Sequence, residues 1–350
     1  MSSEWKPLVN LERLGLWMDS QALPPGSIES PTLLQGGTQN VLLRFARGGR
    51  EYVLRRPPSH PRMDGNSVMR REARVLAALA HTDVPHPRLI ATCDTADVLG
   101  AAFYLMEPVQ GFNATVALPA LHANDPAIRH RMGLALADGA ATLGRVDHIA
   151  IGLGDFGRPD GFLERQVDRW RSQLDGYREY AGWPGADSIP GVMQVGDWLN
   201  QRRPLAFSPG IVHGDYHLSN VMVRNDGPEL AAIVDWELVT IGDPLIDLGW
   251  LLATWPNAEG VSPVGLTVSP WSGFPTASEL VERYAKASSR DLSHLQWYAV
   301  LASYKLGILL EGTHARSCAG QAPRDTGLRL HASAVRLFER ALNWLQHPLF

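Results

Sequence analysis

Apolar positions change their rhythm about a third of the way along the chain. Up to residue 106 they fall in short runs between glycine and proline breaks, and beyond residue 111 most of them recur at helical intervals. Asn10 precedes an amphipathic stretch in which Leu11, Leu14 and Trp17 share one face, and Pro24-Pro25-Gly26 ends it. Three strands are expected next: Thr32 to Leu34, Val41 to Phe45 and Glu51 to Arg55. Gly36-Gly37-Thr38-Gln39-Asn40 and Gly48-Gly49 separate them as turns. Ser67 to Leu79 reads as a helix with Val68, Glu72, Val75 and Leu79 in register, and strands follow near 88–93 and 101–106. Later helices are predicted over 126–146, 162–180, 187–203, 277–287, 293–312 and 328–345. The pattern gives an α+β chain with an antiparallel, strand-rich part over 1–108 and a mostly helical part over 109–350.

Two charges break this pattern and change the picture. Glu72 falls on the apolar stripe of its helix, where an unpaired carboxylate would be costly, so it requires a partner. Arg55 closes the third strand, and a period of two points it to the same face as Val53, which makes it the natural partner. Arg56 faces the other way, before Pro57-Pro58, and is expected to be solvated.

Composition excludes several classes. The 350 residues carry a net charge of −4, so nothing marks the chain as a nucleic-acid binder. Its two cysteines, Cys93 and Cys318, are too few for a disulfide scaffold and lack metal-binding spacing. No leader pattern opens the chain, and Lys305 interrupts the most apolar late stretch. A cytoplasmic protein without membrane association is expected, acting as a monomer or weak homodimer.

The chemistry concentrates between residues 211 and 250. His213-Gly214-Asp215 is followed by Asn220 five residues after the aspartate, the spacing of a kinase catalytic loop. Asp235-Trp236-Glu237 leaves a short apolar strand, and Asp243-Pro244 opens a helix containing Asp247. Phosphoryl transfer asks for a carboxylate that orients a hydroxyl and for hard oxygen ligands to Mg²⁺. Asp215 suits the first role; Asn220 and Asp235 suit the second. His213 is read as a loop prop, Asp243 as a cap, and Asp247 as a hydrogen-bond acceptor for loop backbone. Gly36, Gly37, Thr38 and Asn40 form either a plain hairpin turn or a phosphate-covering loop.

The segments HGDYHLSN, IVDWE and GDPLIDLGW resemble the aminoglycoside-phosphotransferase-like family of small-molecule kinases. The nearest subgroup is the kinase-like domains fused to, or encoded beside, acyl-CoA dehydrogenases. The resemblance implies a two-lobed, protein-kinase-like fold: a small N-terminal lobe with an antiparallel sheet and a helix carrying Glu72, and a larger helical lobe. It implies ATP and Mg as cofactors, with Asp215 as base and Asn220 and Asp235 on the metal. Gly36, Gly37, Thr38, Asn40, Arg55 and Glu72 would then serve the phosphates, and backbone at Glu107 and Val109 the adenine. Arg55 stands where kinases place a lysine, and an arginine fork is not a neutral exchange for it.

A protein kinase is excluded because Asp247 follows Asp235 by only twelve positions, which leaves no room for an activation segment ending in Ala-Pro-Glu. The acceptor is expected to be a small-molecule hydroxyl. A polycationic aminoglycoside calls for an acidic pocket, yet residues 256–350 hold nine Lys/Arg against seven Asp/Glu. Glu311, His314 and Arg316 are candidates to face that pocket. The alternative to an enzyme is a nucleotide-binding pseudokinase with a regulatory or scaffold role.

Overall fold

The computed structural model describes residues 5–34, 40–59 and 64–347. It divides into two compact units, Met1–Gln110 with Ala232–Glu237, and Gly111–Ala231 with Leu238–Phe350. The return of 232–237 to the first unit is something a contiguous division of the chain does not provide. Its local anchor is a backbone bond from Ile233 N–H to Pro85 O (2.8 Å).

In the first unit α1 (Leu11–Ser20) begins at Asn10, whose side chain accepts from Arg13 N–H. Strands β1 (Glu29–Leu33), β2 (Val41–Arg47) and β3 (Arg50–Arg56) follow, then α2 (Gly65–Leu79), β4 (Leu89–Cys93) and β5 (Phe103–Met106). The strands form one antiparallel sheet in the order β1-β2-β3-β5-β4. Gly48 and Gly49 both have positive φ (56° and 73°), the backbone a tight hairpin between β2 and β3 demands. In register, Arg55 lies opposite Leu42 on one side and Tyr104 on the other. Leu43, Phe45, Tyr52, Leu54, Phe103 and Leu105 pack with Leu14 and Met18 of α1 into one core.

That packing corrects the expectation for Arg56. The side chain lies on the face that α1 and its flanking turn cover, so it is buried. It donates to the carbonyls of Pro57, Leu8 and Leu99, and burial lowers its pKa.

The second unit opens with α3 (Ala120–Asn124) and α4 (Pro126–Arg145), the latter capped by Asp125 with Pro126 at its first position. Next come α5 (Glu164–Gly176) and α6 (Val192–Gln201). Both are shorter than their apolar patterns. The α5 helix tightens into a 3₁₀ turn at Tyr177–Glu179, and Ile189-Pro190-Gly191 bars α6 from starting earlier, because a residue before proline avoids helical backbone. Four short strands follow: β6 (Gly210–Val212), β7 (Val221–Val223), β8 (Leu230–Ile233, whose last two residues belong to the first unit) and β9 (Thr240–Gly242), paired as β6-β9 and β7-β8. The chain ends in α7 (Leu245–Thr254), α8 (Ala277–Ala287), α9 (Leu295–Cys318) and α10 (Arg324–Gln346). Every residue of α7 is buried, as expected for a helix apolar on all sides. The α9 helix continues past Gly312, where the Tyr177 ring leaves no room for a side chain. Among the described residues no helix is long and apolar enough to cross a membrane.

Candidate active site

Each unit contains a polar cluster built on residues that the sequence singles out for phosphoryl transfer. In the first, β3 supplies Arg55, α2 supplies Glu72, β5 supplies Tyr104, and the returning segment supplies Asp235. Arg55 Nη2 donates to Glu72 Oε1 (3.0 Å) and to Asp235 Oδ1 (2.7 Å), while its Nε lies 2.8 Å from Glu72 Oε2. The Tyr104 hydroxyl donates to Glu72 Oε2 (2.7 Å). Side-chain exposure is 8% for Arg55 and 1% for Glu72, against 38% for Asp235. Burial raises the Glu72 pKa, and the charge of Arg55 with the Tyr104 hydroxyl opposes the rise. Burial also works against the Arg55 guanidinium, but Glu72, Tyr104 and Asp235 keep its pKa raised.

Asp235 adopts φ +65°, a left-handed conformation that Asp tolerates better than most residues and that clusters at functional sites. Buried Trp236 braces the turn by donating from Nε1 to Ile233 O (2.9 Å). One carboxylate oxygen from each of Glu72, Asp235 and Glu237 lies within 4.8 Å of the others. Glu72 is committed to Arg55 and Tyr104, so Asp235 and Glu237 are the members that fit a hard divalent cation. Asn40 Nδ2 reaches Glu237 Oε2 at 3.5 Å. Gly36, Gly37 and Thr38 lie outside the described residues. Glu107 pairs with Arg50 (2.6 Å) through its side chain and gives its own N–H to Arg88 O (2.9 Å). A nucleotide edge would therefore have to meet the Glu107 carbonyl. Val109 follows three residues after the end of β5.

The second cluster holds Asp215 and Asn220. Asp247 of α7 accepts from His213 N–H (2.7 Å) and Gly214 N–H (2.9 Å), which clamps the start of the loop. Gly214 has φ +87°, and a Cβ there would lie 2.7 Å from Leu238 O, so the turn requires glycine. His213 is wholly buried and accepts the Asp215 N–H on Nδ1 (3.3 Å), the role of a prop. Asn220 Nδ2 donates to Asp215 O (2.9 Å) and Asp215 Oδ2 (2.8 Å). Because the amide nitrogen faces Asp215, the amide oxygen is the atom left to serve as a ligand. Asn113 Nδ2 supports the loop from below by donating to Ser219 O (2.6 Å).

Two residues of this cluster escaped the sequence reading. His217 Nε2 lies 3.0 Å from Asp215 Oδ1, and its Nδ1 accepts from Ser219 N–H (3.2 Å). A ring nitrogen that accepts a backbone N–H carries no proton, so Nε2 is the protonated one and donates to Asp215. Lys305 of α9 donates to Gly214 O (3.2 Å) and sits over the rings of Trp250 (4.5 Å) and Trp170 (5.5 Å). Neither residue falls at a motif spacing: one follows Asp215 by two positions, and the other is a lone charge in an apolar helix.

The electrostatics follow from these neighbours. Burial would raise the Asp215 pKa, but His217, His213 and Lys305 outweigh it and hold the carboxyl below the usual range. Asp247 is pushed up to about 7 by burial, against the two backbone bonds it accepts. Lys305 is lowered to about 8 by burial, against the attraction of Asp215 and Asp247. Asp243 caps α7 by accepting from Leu245 N–H (3.0 Å) and takes the Tyr298 hydroxyl (2.5 Å). Of the later candidates, Glu311 and His314 are buried together, and Arg316 donates to Thr313 Oγ1 (2.8 Å).

Comparison with known proteins extends these findings. The model of the phosphotransferase enzyme family matches residues 31–298. Chicken (Gallus gallus) acyl-CoA dehydrogenase family member 11 is 28% identical over 328 residues, 91% of this chain. The chain spans only 40% of that relative's length. Among solved structures, a putative aminoglycoside phosphotransferase from Ralstonia eutropha superposes with a TM-score of 0.77 at 29% identity, covering 95% of this chain and 98% of that one. The fold is also that of aminoglycoside phosphotransferase APH(4)-Ia, solved with ADP and hygromycin B. That likeness has a TM-score of 0.55 at 15% identity and covers 92% of this chain and 97% of that one. The fold is therefore protein-kinase-like, and the chain belongs to the phosphotransferase enzyme family.

Proposed function

We propose that this chain transfers the γ-phosphoryl group of ATP to a hydroxyl of a small molecule, releasing ADP. The hydroxyl oxygen forms the new bond to phosphorus, the bond to the ADP oxygen breaks, and Asp215 takes the hydroxyl proton. The frame around Asp215 carries this reading: Asn220 and His217 hold its two carboxylate oxygens at 2.8 and 3.0 Å. A carboxyl held below the usual range is ionised at neutral pH, so it aligns an incoming hydroxyl as an acceptor and receives the proton as transfer proceeds. Asn220, through its amide oxygen, and Asp235, with Glu237 beside it, would hold Mg²⁺, which neutralises phosphate charge when bound. Arg55, steadied by Glu72, would contact the phosphates. Gly36, Gly37, Thr38 and Asn40 would cover them, and the Glu107 carbonyl and Val109 N–H would meet the adenine.

The acceptor class follows from charge and likeness together. The near-neutral stretch over 256–350 is a poor host for a polycation, and the dehydrogenase relatives make a hydroxylated acid or its thioester the class to test first. Incubating the chain with MgATP and a metabolite library, and reading mass gains of one phosphate, tests the proposal. An ATP-dependent product is expected with wild type and none with Asp215→Asn. No product from any hydroxyl compound, with ATP bound, would favour a non-catalytic nucleotide-binding module. The observation behind that second reading is the ion pair from Arg55 to Asp235, which occupies one oxygen of the metal-ligand carboxylate.

A further inference from the structure

Apart from the two clusters above, the second unit buries a third group of polar side chains. Glu311 on α9 has no exposed surface, yet it accepts three hydrogen bonds. Trp183 Nε1 and His314 Nδ1 donate to its Oε1 (2.7 and 2.8 Å), and His331 Nδ1 of α10 donates to its Oε2 (2.7 Å). One potential ligand atom from each of Glu311, His314 and His331 lies within 4.8 Å of the other two.

We propose that Glu311, His314 and His331 form a site for a divalent transition metal of the zinc type. The donor set is the first argument: two imidazole nitrogens and one carboxylate oxygen suit a borderline-soft ion and not Mg²⁺ or Ca²⁺. Charge is the second. A wholly buried carboxylate must be paired or coordinate a metal, and a divalent ion meets that need as a protonated imidazole would. The surrounding bonds are the third. Metal-bound carboxylates and imidazoles are held by outer partners, and both are in place. Trp183 already donates to Glu311, and Cys318 Sγ lies 3.6 Å from His314 Nε2. With Nδ1 on a metal, the His314 proton sits on Nε2 and points at that sulfur.

Access and geometry agree. The His331 side chain is 23% exposed, which gives an ion an entry path and leaves a fourth position for water. Metal–ligand bonds of about 2.0–2.1 Å separate tetrahedral ligand atoms by roughly 3.3 Å. His314 and His331 meet different oxygens of Glu311 (2.8 Å to Oε1 and 2.7 Å to Oε2), so the contact to whichever oxygen takes the ion would open by roughly half an ångström as the ion replaces the shared protons, which leave for solvent or shift to Nε2. A bound ion would tie α9 to α10 and to the segment carrying Trp183.

The test uses the full, untagged chain stripped with chelator and titrated with zinc chloride in a calorimeter, without nucleotide. One zinc per chain is expected, with affinity falling at least tenfold in His331→Ala and about tenfold in Trp183→Phe. Zinc should raise the melting temperature of wild type but not of His331→Ala, and cobalt in its place should give the visible bands of a four-coordinate site. Asp235→Ala, which alters the separate acidic group, should bind zinc as wild type does. Should His331→Ala prove unstable, Trp183→Phe and the cobalt spectrum decide. Equal zinc affinity in wild type and both variants, or loss of zinc binding in Asp235→Ala alone, overturns the proposal and leaves a hydrogen-bonded network.

Discussion

Asp235 and Asp215 are held by opposite means. In the first unit the carboxylate leans on a single long side chain, Arg55, which also neutralises the buried Glu72. In the second unit the support for Asp215 is spread over an imidazole, an amide, a clamped turn and a lysine anchored to backbone. A cluster resting on one cation depends on strand register and fails when that residue goes. A cluster built from many short-range bonds resists single losses, but its turn tolerates little change.

The comparison breaks most directly at Arg55. Arg55→Ala leaves Glu72 buried without a counter-charge, and such a loss costs on the order of 3–5 kcal/mol. Urea unfolding should show that drop with ATP affinity falling alongside it, whereas Arg55→Lys, which keeps the charge, should recover part of both. Unchanged stability in Arg55→Ala would remove the contrast between the clusters.

Arg56 gives the next largest effect. Removing its guanidinium strands buried carbonyls at Leu8, Leu99 and Pro57, a cost of about 1–3 kcal/mol. ATP affinity should survive, because the loss falls on the face toward α1. A variant that loses ATP binding while keeping its melting temperature would reverse the assignment of the two arginines.

The smallest effect tests the clamp under Asp215. The Asp247 pKa is raised by burial to about 7. The folded chain thus holds a proton there that the unfolded chain releases at ordinary carboxylate values. This contribution to stability is full below the ordinary range and is lost as pH rises toward 7, with a slope of at most about 1.4 kcal/mol per pH unit. Asp247→Asn should be less stable than wild type, with a flatter dependence between pH 5 and 7. Parallel curves for the two proteins would contradict the buried-carboxyl assignment.

Much of this arrangement was legible in the chain because it is local. Asn10 announces the start of α1. Glu72 on an apolar stripe demands a cation, and the structure supplies Arg55. Asp247 under the loop follows from a polar residue in an otherwise apolar helix. What stayed hidden depends on contacts distant in sequence. Arg56 reads as solvated because nothing in β3 reveals that α1 covers its face. Lys305 reads as a mere break in an apolar run, since only the packing of α9 sets it beside Gly214. His217 is hidden differently: it sits inside the motif, but which ring nitrogen meets Asp215 depends on the turn at Ser219. Trp183 and His331 converge on Glu311 from segments 128 and 20 residues away.

The most direct test compares transfer and nucleotide binding in Asp215→Asn. Wild type and variant should bind MgATP with similar affinity by calorimetry, because Asn220, Asp235 and Arg55 are untouched. Transfer of labelled phosphate from ATP to the acceptor should fall at least a hundredfold in the variant, the lower range for losing a general base. Near wild-type transfer by Asp215→Asn would contradict the account at its centre, whatever the acceptor proves to be.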